Sequence, residues 1–191
     1  YASGASADFA LARYNADGSL DTTFDGDGKL TTDFAGNGDT IYSVELQTGG
    51  KIMAAGYNNN PANDDFALAR YNPDGSLDTG FDGDGKVVTD LAGGDDAAYG
   101  LVLLGDGRLV AAGTGYLNKS DFGAVRYNAD GSLDASFAAD GILLSDLYGT
   151  VDSVAGAALQ RDGNIVVVGY TMALSIDFAI ARYNPDGSLD F

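Results

Sequence analysis

Short apolar or alternating runs of strand length follow one another along the chain, and no stretch of helical period is long enough to compete with them. Between residues 39 and 91 there are four, at 41–47, 51–57, 66–71 and 86–91, each bounded by Gly, Asn or Asp. The connections differ in kind. Thr48-Gly49-Gly50, Gly105-Asp106-Gly107 and Arg161-Asp162-Gly163 place Gly where a tight hairpin needs positive φ. The next connection is variable: 58–64, 115–120 and 171–176 share almost nothing. A varying loop on a repeating scaffold is either the home of a specific contact or a segment under no constraint.

The pattern repeats. Asp-Phe-(x)3-Arg-Tyr-Asn-x-Asp-Gly-Ser-Leu-Asp begins at Asp8, Asp65, Asp121 and Asp177, and residues 8–34 match 65–91 at 22 of 27 positions. A fixed period of about this length belongs to solenoids, propellers and arrays. Four strands joined by tight hairpins make a propeller blade. A right-handed parallel β-helix is the rival, but its coils are usually shorter and lack such hairpins. The expected fold is therefore all-β: tandem four-stranded antiparallel blades, as a β-propeller or an open propeller-like array over 1–191. The units fall at about 1–38 (third and fourth strands only), 39–94, 95–150 and 151–191 (no fourth strand). Asp-Phe-(x)3-Arg supplies the third strand. In the long third-to-fourth connection, Ser76 is placed to cap one helical turn, with Leu77 and Phe81 plugging the end of the unit.

Each unit carries one Arg on the apolar strand face: Arg13, Arg70, Arg126 and Arg182. A guanidinium there is partly buried and needs a partner. Asp33, Asp90 and Asp146 in the adjoining fourth strand are the expected partners, with Asp8 and its equivalents as the other candidates. The reading is of structural ion pairs, not catalysis.

Composition narrows the chemistry. The net charge is −18, with 27 Asp against a single Glu, Glu45. This disfavours nucleic acid and anionic membranes, which are bound through Lys and Arg. Asp, unlike Glu, favours turns, so the charge is expected in connections. There is no Cys and no His, which removes thiol and imidazole catalysis, disulfides and the usual zinc, copper and haem ligands. No apolar run is long enough to span a membrane as a helix.

Calcium is the leading ligand candidate, because it takes six to eight oxygens from irregular loops. Asn15, Asp17, Asp21, Asp25 and Asp27, repeated as Asn72, Asp74, Asp78, Asp82 and Asp84, are the candidate donors. The EF-hand spacing is not met, and the third unit has Ala138 where a donor Asp would stand, so the ion is expected in the first two units. Tyr57, Tyr116 and Tyr170, at or near the end of the second strand, are candidates for binding a sugar or peptide. A carboxylate pair for glycoside hydrolysis is weakly supported among so many Asp. Asn118-Lys119-Ser120 is the one N-glycosylation sequon.

The sequence Asp8-Phe-Ala-Leu-Ala-Arg-Tyr-Asn-Ala-Asp-Gly-Ser-Leu-Asp21, followed by Gly28-Lys29 and later by Gly50-Lys-Ile-Met-Ala-Ala-Gly56, resembles the bacterial delta-60 repeat, a β-propeller-like family of unknown function. The resemblance covers essentially the whole chain. It implies a secreted or cell-surface bacterial protein and no catalytic motif. The expected function is a non-enzymatic extracellular module for structure, adhesion or assembly. The alternative is a carbohydrate- or peptide-binding propeller using the variable loops, with calcium as cofactor. The expected partners are other copies of the chain or the rest of a longer one, and a glycan or protein at a cell surface. The chain starts at Tyr1 and stops inside a motif that elsewhere continues, and reads as a segment or subunit that is not self-sufficient.

Overall fold

The computed structural model describes residues 7–34 and 36–191. The first six residues of the unit read at 1–38, and Ala35, lie outside the described residues. Among the described residues all regular structure is strand. Strands β1 (Phe9–Ala12) and β2 (Lys29–Thr32) form one sheet. Then β3 (Asp39–Leu46), β4 (Ile52–Asn59), β5 (Asp64–Tyr71) and β6 (Lys86–Thr89) form a second. Strands β7 (Ala97–Leu103), β8 (Leu109–Tyr116), β9 (Ser120–Tyr127) and β10 (Ile142–Ser145) repeat it. Finally β11 (Val151–Leu159), β12 (Ile165–Met172) and β13 (Ile176–Tyr183) make a three-stranded sheet. Every pairing is antiparallel between chain neighbours. The architecture is an open, propeller-like array of blades, and the parallel β-helix is excluded. The Asp-Phe-(x)3-Arg motif forms the third strand.

Two local expectations are corrected. The fourth strands end early, at Thr89 in β6, because the Asp90 carboxylate turns back to accept the N–H groups of Ala92 and Gly93. The helical turn at Ser76 does not form. The Ser76 hydroxyl donates to Asp74 instead, and the connection is a chain of turns. The Phe half of its plug holds, with Phe24, Phe81 and Phe137 fully buried, whereas Leu77 is half-buried and Leu133 is 39% exposed.

The core lies in the seams between sheets. In the second seam Met53, Ala55, Phe66 and Leu68 of one sheet meet Ala98, Leu101, Leu109, Ala111 and Val125 of the next. The first and third seams repeat this arrangement. Small side chains such as Ala54, Ala55, Ala111 and Ala112, all fully buried, let the sheets approach. In each first strand the register shifts by one residue opposite a glycine. A Cβ at Gly56 would stand 1.7 Å from the Thr40 carbonyl oxygen, so only glycine fits there.

The repeated Arg does not pair with the fourth-strand Asp. Arg13 binds Asp21, Arg70 binds Asp78, Arg126 binds Asp134 and Arg182 binds Asp190. Register gives the reason. Phe66 is opposite Thr89, so Asp90 faces Asp65 at one end of β5 while Arg70 sits near the other. There the Asp78 N–H donates to the Arg70 carbonyl and brings its carboxylate alongside. Burial works against the Asp78 charge, yet bonds from Lys51, the Gly80 N–H and Arg70 hold its carboxyl below the usual range.

Three of the four guanidinia also cross a seam. Arg13 donates to the Pro73 carbonyl, Arg70 to Ala129 and Arg126 to Pro185, in each case on the following unit. Each lies 4.8 Å over the ring of its own Phe24, Phe81 or Phe137. Beside them, the Tyr71 hydroxyl donates to Thr32 and the Tyr127 hydroxyl to Thr89, again across a seam. Replacing Arg70 by Ala removes the seam bond and one of two cations on Asp78. The variant is expected to lose about 2–5 kcal/mol in urea unfolding. Lys29→Ala on the exposed surface should stay within about 0.5 kcal/mol of the parent.

Candidate functional site

Where one sheet passes to the next, three carboxylates meet. The register that sets Phe66 opposite Thr89 makes Asp65 and Asp90 neighbours. Asp96 immediately precedes the following sheet, tied on by its N–H to the Asp64 carbonyl. One carboxylate oxygen each of Asp65, Asp90 and Asp96 lie within 4.8 Å of one another, and the same holds for Asp8, Asp33, Asp39 and for Asp121, Asp146, Asp152. The last member is the most buried in each set: Asp39, Asp96 and Asp152 are 2%, 1% and 0% exposed. Each accepts a hydrogen bond from the backbone of the turn before it, at Phe34, Leu91 and Leu147. Burial pushes the Asp96 carboxyl up to about 6, against the N–H bonds from Leu91 and Tyr116, and the charges of Asp90 and Asp65 push the same way. Burial raises Asp39 and Asp65 likewise. Hard, oxygen-seeking cations are what such a set of carboxylates could hold.

The calcium donors expected in the long connections are spent otherwise. Asp17 and Asp74 each accept the backbone N–H and hydroxyl of Ser19 or Ser76. Asn15 and Asn72 donate to the same serines. Asp27 and Asp84 accept the N–H groups of Lys29 and Lys86, and Asp21 and Asp78 carry the Arg. Asp25 and Asp82 adopt positive φ, at 49° each, and offer their N–H groups to the next unit. These side chains close turns, and among the described residues none belongs to a set of three converging acids. The acidic triads instead use Asp8, Asp33, Asp90 and Asp146, which the sequence offers as partners for Arg. They add Asp39, Asp96 and Asp152, which sequence reasoning missed. The signal that could have found them is period: those three recur at the repeat spacing, at the start of each first strand.

The first strands β3, β7 and β11 pack side by side, β7 against both others. Beside them opens a cavity of about 300 Å³, with walls that include Tyr42, Tyr57, Tyr99, Tyr170, Asp64 and Asp96. The Tyr42 ring is 4.8 Å from Tyr99 and 5.9 Å from Tyr57. Tyr57 and Tyr170 both line this cavity. Tyr116 is not part of the wall; its N–H donates to Asp96. Tyr42 and Tyr99 are not foreseeable from the sequence, because only the folded array sets two first strands side by side. Asp96 belongs both to this wall and to the second triad.

The chain matches the family model described as "Domain of unknown function (DUF5122) beta-propeller" at residues 1–24, 47–81, 104–137 and 160–190, and it belongs to that family. No curated protein matches it in sequence. A solved structure of XC5397 from Xanthomonas campestris, a gluconolactonase, is similar with a TM-score of 0.50 and 17% identity. The match covers 93% of this chain and 52% of the other, so the chain spans about half the length of that structure. At that identity the likeness concerns the fold. It still overturns one expectation, that the chain is not an enzyme, because a gluconolactonase carries the same architecture.

The Asp96 shift makes a signed prediction. Its folded pKa lies above the unfolded value, so its contribution to stability is fully present below about pH 4 and is lost as pH rises through 6. In the presence of a chelator, Asp96→Asn should therefore gain on the parent by about 2–3 kcal/mol between pH 4 and pH 7.5. Thermal melts across that range measure the difference. A difference that is flat with pH would contradict the assignment.

Proposed function

We propose that this member of the β-propeller family is an extracellular structural module, working at a bacterial cell surface by assembling with units of its own kind. The observation that carries the proposal is a mismatch between equivalent residues. Phe66 and Leu68 of β5 are fully buried in the second seam, whereas Phe178 and Ile180 of β13, at the same positions, are 97% and 70% exposed. At the other end Tyr14 is 62% exposed, whereas Tyr71, Tyr127 and Tyr183 are buried. The two outer faces are thus the two halves of a joint that the chain makes three times within itself. An apolar face of this kind is a contact surface, and β13 adds an edge with no partner strand among the described residues. Resemblance to the bacterial repeat family supports the extracellular setting.

Calcium, in this reading, is the cofactor that stiffens the joints at the acidic triads, whose donors are all carboxylate oxygens. A second reading, recognition of a carbohydrate or peptide, rests on the cavity with Tyr42, Tyr57, Tyr99 and Tyr170 in its wall. Aromatic faces beside a few carboxylates suit a sugar ring. A panel of oligosaccharides applied to the parent and to Tyr57→Ala separates this reading from the first.

Sedimentation velocity tests the assembly role. The parent should show concentration-dependent association, and Phe178→Asp with Ile180→Asp should abolish it without changing the circular dichroism. A monomer at every concentration, with or without the substitutions, would contradict it.

A further inference from the structure

The three triads share their acids but not what neutralises them. In the second, Asp65 accepts the amides of Asn60 and Asn63, Asp90 the N–H groups of Ala92 and Gly93, and Asp96 the N–H groups of Leu91 and Tyr116. None of the three makes an ion pair with Lys or Arg among the described residues. Three neighbouring carboxylates are held there by dipoles alone.

The third triad contains its own cation. Lys119 Nζ lies 2.7 Å from Asp146 Oδ2 and 3.3 Å from Asp121 Oδ1, and it donates to the Thr150 carbonyl. It pairs with two acids of the three. Asp152 is 0% exposed; its Oδ2 accepts the Leu147 N–H, and its Oδ1 has no hydrogen-bond partner among the described residues. A carboxylate oxygen buried without a partner is costly. One ammonium on a flexible stem offers three directed donors. A metal ion that accepts six to eight oxygens would take an oxygen from each acid. A buried acid with one oxygen left without a partner, beside a cation that pairs with the other two acids, fits a site for a cation that reaches all three.

Position decides which triad is which. Counted from the motif Asp, Lys119 stands two residues before Asp121, where Asn63 stands two before Asp65. Both belong to the variable connection. Asn63 touches Asp65 through Nδ2, at 2.8 Å from Oδ1, and carries no charge. A change in this one loop residue exchanges a neutral amide for a competing cation, while the carboxylates stay the same.

We propose that the seam triads are sites for a hard divalent cation of the calcium class, and that Lys119 is a built-in competitor that closes the third site while leaving the second open. The proposal rests on the reading of the triads as cation sites and adds which of them is selective and through which residue. The variable connection thereby sets, joint by joint, whether rigidity depends on the ion.

Calorimetric titration of chelator-treated protein with calcium chloride tests this. Asp90→Asn, at an exposed position that retains an oxygen for the Ala92 and Gly93 N–H groups, should remove one equivalent of binding. Lys119→Asn should add one equivalent, or strengthen a weak one at least tenfold, and Asp146→Asn in that background should remove it again. Melting in chelator establishes that each variant is folded, and Lys119→Gln serves if Lys119→Asn is not. Absence of calcium binding in the parent and in every variant would overturn the triads as sites altogether. Loss of one equivalent in Asp90→Asn with no gain in Lys119→Asn would leave the sites standing and overturn the role of Lys119.

Discussion

At the end of the third strands β1, β5 and β9 a guanidinium does three things together. It neutralises the Asp eight residues on, lies over the Phe that plugs its own unit, and donates to a carbonyl of the next unit. The apolar seam stacks beside this point, and the Tyr–Thr bond closes it. A charge this buried is held only when paired, so the sequence must supply Arg, Asp and Phe at fixed spacing in every unit. That constraint accounts for the length and strictness of the repeated motif. The opposite end of each seam has no such self-sufficiency. There three carboxylates face one another, and their charge must be met by amide dipoles, by a lysine or by an ion.

Much of the architecture was legible because its physics is local and periodic. Strand length, hairpin glycines and the repeated Asp-Phe-(x)3-Arg motif each report on a few neighbouring residues, and they led to antiparallel blades. Pairing was less legible. Arg70 and Asp90 lie in adjoining strands, yet hairpin register sets Asp90 against Asp65 and leaves the guanidinium to Asp78. Whether an Asp closes a turn or joins a cluster is invisible in composition. Asp74 and Asp96 are the same residue type near equally frequent glycines. The first is spent on Ser76, and the second is buried against two other acids.

The tyrosine cavity shows the same division. Tyr57 and Tyr170 could be picked out as equivalent strand ends, but Tyr42 and Tyr99 come together only when two first strands pack. The cavity and the second triad share Asp96. An ion at that seam would stand at the cavity wall and couple the stiffness of the joint to whatever the tyrosines contact.

In the proposed arrangement each seam is neutralised by its own arginine at one end and by a cation at its aspartate end unless a lysine stands in. Anomalous diffraction from crystals grown in calcium chloride tests it most directly. The account predicts a peak among Asp65, Asp90 and Asp96 and none among Asp121, Asp146 and Asp152, where Lys119 intervenes. A peak in the long connection, among Asp74, Asp78 and Asp82, with none at the seams, would contradict it.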